Sequence, residues 1–204
     1  MIFGAYDKWW QFSEDIKFPQ RQAIKLQMIE PNKKKVVYLL VGAKGSGKTH
    51  IGSLLERVLN IQFLKVEQRL IEYIGSTESK SEQLPNDGYD LEEKWIGEIL
   101  QYRDEVISEA TGSSKYLLRF IHRLGSKYIL KLIRINCPLD ICFERVKKRG
   151  ATDHFNVQDD KIRSINASSH NVQLDWDLEI DNAGPATESE IVNVFNNIRL
   201  ESHA

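Results

Sequence analysis

The sequence predicts an α/β domain in which a parallel sheet carries helices on both faces. Three observations lead there. Residues 36–41, Val-Val-Tyr-Leu-Leu-Val, form an unbroken β-branched and apolar run, the mark of a strand buried on both faces. A glycine-rich turn follows, and then a helix-period pattern. From there strand-like and helix-like segments alternate along the chain, which implies right-handed crossovers between parallel strands.

The elements follow in order. Residues 1–31 carry Phe3, Tyr6, Trp9 and Trp10 and read as an aromatic, partly helical extension packed on the domain that begins at residue 32. Residues 48–59 place Ile51, Leu54, Leu55, Val58 and Leu59 on one helix face. Residues 61–66 form a second short strand, and a helix begins within 71–74. Residues 75–90 are polar and include Pro85 and Gly88, an exposed loop. A helix over 91–102 precedes a strand at 105–108. Residues 111–114 turn into a helix over 115–124. The next strand covers 128–135. Asn136 and Pro138 then open a helix over 139–149, which Gly150 ends. A polar insert at 152–160 precedes a helix over 161–169, a last strand at 178–180 and a closing helix over 188–200. That helix aligns Ile191, Val194, Phe195 and Ile198.

At 204 residues with 41% hydrophobic content, one domain with a small appendage is expected, burying about 70% of the unfolded surface. The charges balance, with 28 Lys+Arg against 29 Asp+Glu. That argues against a sequence-independent grip on nucleic acid, which only a local basic groove would supply. No apolar run approaches the ~20 residues of a membrane span. The opening MIFGAYDKWW lacks the basic head and apolar stretch of a secretory signal. A cytoplasmic protein is therefore expected. Cys137 and Cys142 read as ordinary buried thiols, and His122, His154 and His170 do not share a metal-ligand spacing.

Gly42-Ala43-Lys44-Gly45-Ser46-Gly47-Lys48-Thr49 matches G-x-x-x-x-G-K-[ST] in full, with the required strand before it and helix after it. Its glycines permit backbone angles that turn several amides inward. The helix N-terminus adds unpaired donors and a positive dipole end. Residues Gly42 to Thr49, with the adjoining His50, are therefore candidates for holding a triphosphate. Lys48 would reach the β- and γ-phosphates, and the Thr49 hydroxyl would ligate Mg²⁺, so ATP with Mg²⁺ is the expected cofactor set.

These residues resemble the P-loop NTPases. The N-K-x-D motif of GTPases is absent, and Asp181-Asn182-Ala183-Gly184 does not occupy the switch position. Glu105-Val106-Ile107-Ser108-Glu109 lacks the Asp-Glu ending of helicases and AAA-type motors. The stretch from Ile133 to Arg149 is similar to the fourth strand and lid-entry helix of the small, adenylate-kinase-like kinases, and Leu178-Glu179-Ile180-Asp181-Asn182 to their last strand. The resemblance covers residues 36–200. It implies a three-layer α/β/α P-loop fold with about five parallel strands in the order 2-3-1-4-5. The implied activity is ATP-dependent phosphoryl transfer to a small molecule, foremost a nucleotide or nucleoside.

The resemblance also implies roles. Arg145 and Arg149, four residues apart on one helix face, would neutralise phosphoryl charge from a lid-like region over 142–169; Arg163 is a weaker candidate. Glu109 would assist the metal or the acceptor. Glu67, Arg69 and Arg119 are placed like acceptor contacts beyond the strand ends. Two other readings stay open. One is an ATP- or GTP-binding regulatory module, with residues 1–31 as a surface for a protein partner. The other is a kinase of polynucleotide ends.

Overall fold

The computed structural model describes residues 35–75, 88–148, 157–184 and 187–202. The expectations for residues 1–31, for most of the 75–90 loop, and for Arg149, Gly150 and His154 lie outside the described residues. The elements run β1 (Val36–Val41), α1 (Lys48–Leu59), β2 (Gln62–Phe63), α2 (Val66–Gly75), α3 (Tyr89–Leu100) and β3 (Glu105–Ala110). They continue with α4 (Leu117–Gly125), β4 (Ile129–Asn136), α5 (Leu139–Lys147), α6 (Asp159–His170), β5 (Leu178–Asp181) and α7 (Glu188–Ser202). The five strands form one parallel sheet in the order β2-β3-β1-β4-β5. This is the order that the resemblance implies.

β1 lies at the centre, in register with β3 (Val36 opposite Glu105) and β4 (Val36 opposite Ile129), and all six of its residues are buried. Its side chains alternate between two cores. Val37, Leu39 and Val41 pack with Trp95 and Ile96 of α3 and Phe120 of α4. Val36, Tyr38 and Leu40 pack with Ile51 and Leu54 of α1 and Phe195 of α7. A strand with no solvent face needs no polar alternation, which is why the run 36–41 is apolar throughout.

The boundaries that moved have local causes. The second strand is only Gln62–Phe63, because the apolar run at 61–66 serves two elements. Phe63 lies against Gly52 of α1, where a Cβ would come within 2.6 Å of its ring. Val66 and Leu70, spaced for a helix, already belong to α2 and reach the core. The helix expected within 71–74 therefore starts at Val66. β3 runs on to Ala110, and α6 starts at Asp159, where Asp159 and Asp160 suit the positive end of the helix dipole. Val58 and Val194, expected on buried faces, are 51% and 39% exposed. The sheet-facing stripes of α1 and α7 are narrower than their apolar residues would cover.

At the amino edge of the sheet, the Tyr38 hydroxyl donates to Glu105 Oε1 at 2.8 Å. Arg199 of α7 donates to the same carboxylate from Nε (3.0 Å) and from its NH2 group (2.6 Å). Burial and the Glu105 charge push the Tyr38 hydroxyl well above the usual phenol range. Lys35 pairs with Asp104 at 2.9 Å. Among the described residues, no helix is long and apolar enough to cross a membrane.

Candidate active site

The carboxyl edge of β1 and β3 carries the opposite kind of cluster. The loop between β1 and α1 turns through Gly45 (φ 93°) and Gly47 (φ 102°), angles that side-chain-bearing residues adopt only under strain. Space forbids a side chain there as well. A Cβ on Gly45 would sit 2.2 Å from the Cys142 carbonyl oxygen, and one on Gly47 would sit 2.0 Å from Asn182 Nδ2. Helix α5 and the β5–α7 turn therefore press directly on the loop backbone.

Lys48 is 8% exposed. Its ammonium donates to the carbonyl oxygens of Gly42 (2.8 Å) and Ala43 (3.0 Å), and burial pulls its pKa down to about 8. The Thr49 hydroxyl donates to Glu109 Oε2 at 3.0 Å. Burial holds the Glu109 carboxyl above its ordinary range, against the opposing pull of the Lys48 charge. Lys44 extends from the loop to Glu67 in the first turn of α2, with Nζ and Oε1 2.6 Å apart. Lys44, Lys48, Glu67 and Glu109 thus form one electrostatic group, in which both Lys48 and Glu109 feel the other three charges.

Two asparagines hold the loop backbone from distant elements. Asn166 of α6, 2% exposed, accepts from the Lys44 amide at 2.8 Å and donates to the Lys44 carbonyl at 3.0 Å. Asn182, just past β5, donates to the Ser46 carbonyl at 2.7 Å. The sequence reading did not single out either as a site residue. Asn166 leaves one trace in the sequence: a polar residue one turn from Ile162 and beside Ile165 on the buried face of α6.

The other expected residues divide. One guanidinium nitrogen of Arg145 donates to Cys137 Sγ at 3.3 Å and lies 4.0 Å from where a Gly47 Cβ would stand, so Arg145 reaches the loop. Arg149 lies outside the described residues. Glu67 is at the loop through Lys44. Arg69 pairs with Glu98 at 3.0 Å and stacks over Trp95 at 4.8 Å. Arg163 stacks over Phe143 at 3.8 Å. His50 and Arg119 are exposed on α1 and α4. Cys137 and Cys142 are free and buried; burial pushes the Cys142 thiol up to about 12, which keeps it unreactive.

The loop fits a polyanion on two structural grounds. Lys48 is a buried cation that, among the described residues, is hydrogen-bonded only to carbonyls. The Ser46 hydroxyl is buried with no hydrogen-bond partner among them. Buried groups of this kind are costly unless a ligand satisfies them. The Thr49–Glu109 oxygens suit a hard divalent cation that takes its remaining ligands from water and phosphate. Among the described residues, no group of three or more His, Cys, Asp or Glu side chains makes a metal cage of its own.

Shikimate kinase of Persephonella marina is 23% identical to this chain over 164 residues, which cover 78% of this chain and 97% of that protein. Among solved structures, shikimate kinase from Acinetobacter baumannii in complex with shikimate superposes with a TM-score of 0.54. It is 16% identical and covers 83% of this chain and 95% of its own. A sugar kinase from Janibacter superposes at 0.55 with 12% identity, over 80% of this chain and 93% of its own. The fold is therefore that of the small P-loop kinases. β3 ends Ser108-Glu109-Ala110, without the Asp-Glu pair of AAA-type motors. A family model described as AAA domain matches residues 37–171, from β1 to the end of α6, and the chain belongs to that family of P-loop proteins.

Proposed function

We propose that this chain is an ATP- and Mg²⁺-dependent kinase that transfers the γ-phosphoryl group to a hydroxyl of a small molecule. The observation that carries this reading is the buried Lys48, with the Thr49–Glu109 pair beside it at the mouth of a complete phosphate loop. Lys48 and the loop amides would bind the β- and γ-phosphates, and Arg145 and Arg149 would neutralise charge on the phosphoryl oxygens. Thr49 and Glu109 would hold magnesium, the hydroxyl directly and the carboxylate through water. Magnesium, when bound, supplies neutralisation of the phosphate charge. Glu67, whose side chain is 25% exposed, would accept the proton of the acceptor hydroxyl. The bond from the γ-phosphorus to its bridging oxygen breaks, a bond to the acceptor oxygen forms, and the products are ADP and a phosphate monoester.

The acceptor is a small hydroxyl-bearing compound. Nucleosides and nucleotides, which the resemblance favours, stand beside the hydroxylated acids and sugars in the relatives' names. The two buried free thiols suit the reducing cytoplasm. The test is ADP release from Mg-ATP across a panel of nucleosides, nucleotides, sugars and hydroxy-acids, with the phosphorylated product identified by mass. Mg-ATP binding with no acceptor consumed across the panel would favour the regulatory-module reading. Salt-sensitive binding to oligonucleotides would favour the polynucleotide reading.

A further inference from the structure

We propose that Lys44 is a second phosphate-binding cation, restrained by Glu67 while the acceptor site is empty and released toward the γ-phosphate when an acceptor hydroxyl takes the Glu67 carboxylate. This rests on the kinase reading above and adds a coupling between the two substrates.

The backbone of Lys44 cannot swing. Its amide and its carbonyl are both bound to Asn166, at 2.8 and 3.0 Å, and it sits between Ala43, whose carbonyl anchors Lys48, and Gly45 in the left-handed region. Only the side chain can change partner, and a lysine stem with four rotatable bonds does so readily. That side chain leads out of the phosphate loop to an element that is not part of it, the first turn of α2, where it meets Glu67 at 2.6 Å.

The pair is asymmetric in access. The Lys44 side chain is 8% exposed and that of Glu67 is 25% exposed, so an entering hydroxyl meets the carboxylate first. A carboxylate that accepts hydrogen bonds from a new ligand gives up part of its hold on the ammonium. A buried ammonium without an anion is strongly disfavoured. The triphosphate in the same loop supplies the replacement anion, and the Lys44 charge already acts on both Lys48 and Glu109. An unrestrained lysine at this position would grip ATP whether or not an acceptor were present. The Glu67 restraint makes that grip conditional.

The test needs no knowledge of the acceptor. Calorimetric titration of the full chain with Mg-ATP and Mg-ADP compares wild type, Glu67→Gln, Glu67→Ala, Lys44→Met and the double variant Lys44→Met/Glu67→Gln. Thermal melts first confirm that each is folded, and Glu67→Ala stands in if Glu67→Gln is not. Removing the restraint should tighten Mg-ATP about five- to tenfold relative to Mg-ADP, the scale of one charge-assisted phosphate contact. The gain should vanish in the Lys44→Met background. An equal gain for ADP, or a gain that survives without Lys44, overturns the proposal, because simple loss of carboxylate repulsion then accounts for it. Wild-type protein that binds neither nucleotide removes the kinase reading itself and this coupling with it. Wild-type protein that binds both, with no ATP-selective gain in the Glu67 variants, removes only the coupling.

Discussion

The two ends of β1 and β3 place similar charged groups under opposite conditions. At the amino edge, Glu105 takes both the Tyr38 hydroxyl and the Arg199 guanidinium, and Lys35 takes Asp104. At the carboxyl edge, Lys48 is deeper in the protein, yet it rests on carbonyls, and Glu109 holds a hydroxyl. Charge matched inside the protein ties elements together, here α7 to the sheet. A buried charge hydrogen-bonded only to neutral groups costs stability until a ligand matches it, and such groups are the candidates for binding. Within one fold, the contrast sets the internally matched Glu105 cluster against Lys48, the candidate for binding, while the matched Lys44–Glu67 pair at the same carboxyl edge shows that matching alone does not sort the residues.

Four experiments break or sharpen that contrast. The largest effect is expected from Lys48→Ala. Mg-ATP affinity measured by calorimetry should fall by at least about 100-fold, the scale of losing a buried, charge-assisted phosphate contact, while the melting temperature stays within a few degrees. Comparable binding by the variant would remove Lys48 from the site. Next comes Glu105→Ala at the other end. It strands the Arg199 charge and the Tyr38 hydroxyl, so denaturant titration should show a loss of about 2–3 kcal/mol with nucleotide affinity changed less than about twofold.

Asn166→Leu is the third experiment. The two main-chain groups of Lys44 lose their partner, at about 1–3 kcal/mol in stability. Nucleotide should bind about tenfold more weakly, because the loop is no longer preorganised. Unchanged affinity would show the clasp to be purely structural. The smallest effect is a pH dependence. With its pKa lowered by burial to about 8, Lys48 in the free protein loses its proton above that pH, and anion binding must restore it. Between about pH 7 and 8.5, Mg-ATP binding should therefore take up part of a proton and weaken by up to about fourfold. Titrations in buffers of different ionisation enthalpy detect the uptake. For folding alone the sign is reversed. The unfolded lysine keeps its proton up to about 10.5, so the destabilising contribution of Lys48 is present below about pH 8 and is relieved as pH rises toward 10.5.

Local pattern made β1, α1 and the sheet class legible, because each is contiguous and strongly periodic. The run at 61–66 misled because it straddles a strand end and a helix start, and only the Val66–Leu70 spacing reveals the change of period. The phosphate loop was readable for the same reason as β1: its eight positions are consecutive. Asn166 and Asn182 were not, since they bind loop residues 122 and 136 positions away, a distance over which no local pattern operates. Glu67 drew notice from its place after the second strand, but its ion pair with Lys44 depends on α2 folding back over the loop. Nothing in residues 65–70 alone announces that.

The sheet tapers from long central strands to margins of two residues in β2 and four in β5. Gln62, Glu179 and Asp181 on those margins face solvent, and so brief a stretch of open main chain gives a neighbouring molecule little to zip onto. Among the described elements, then, the margins of the sheet carry the features that blunt edge-to-edge strand addition.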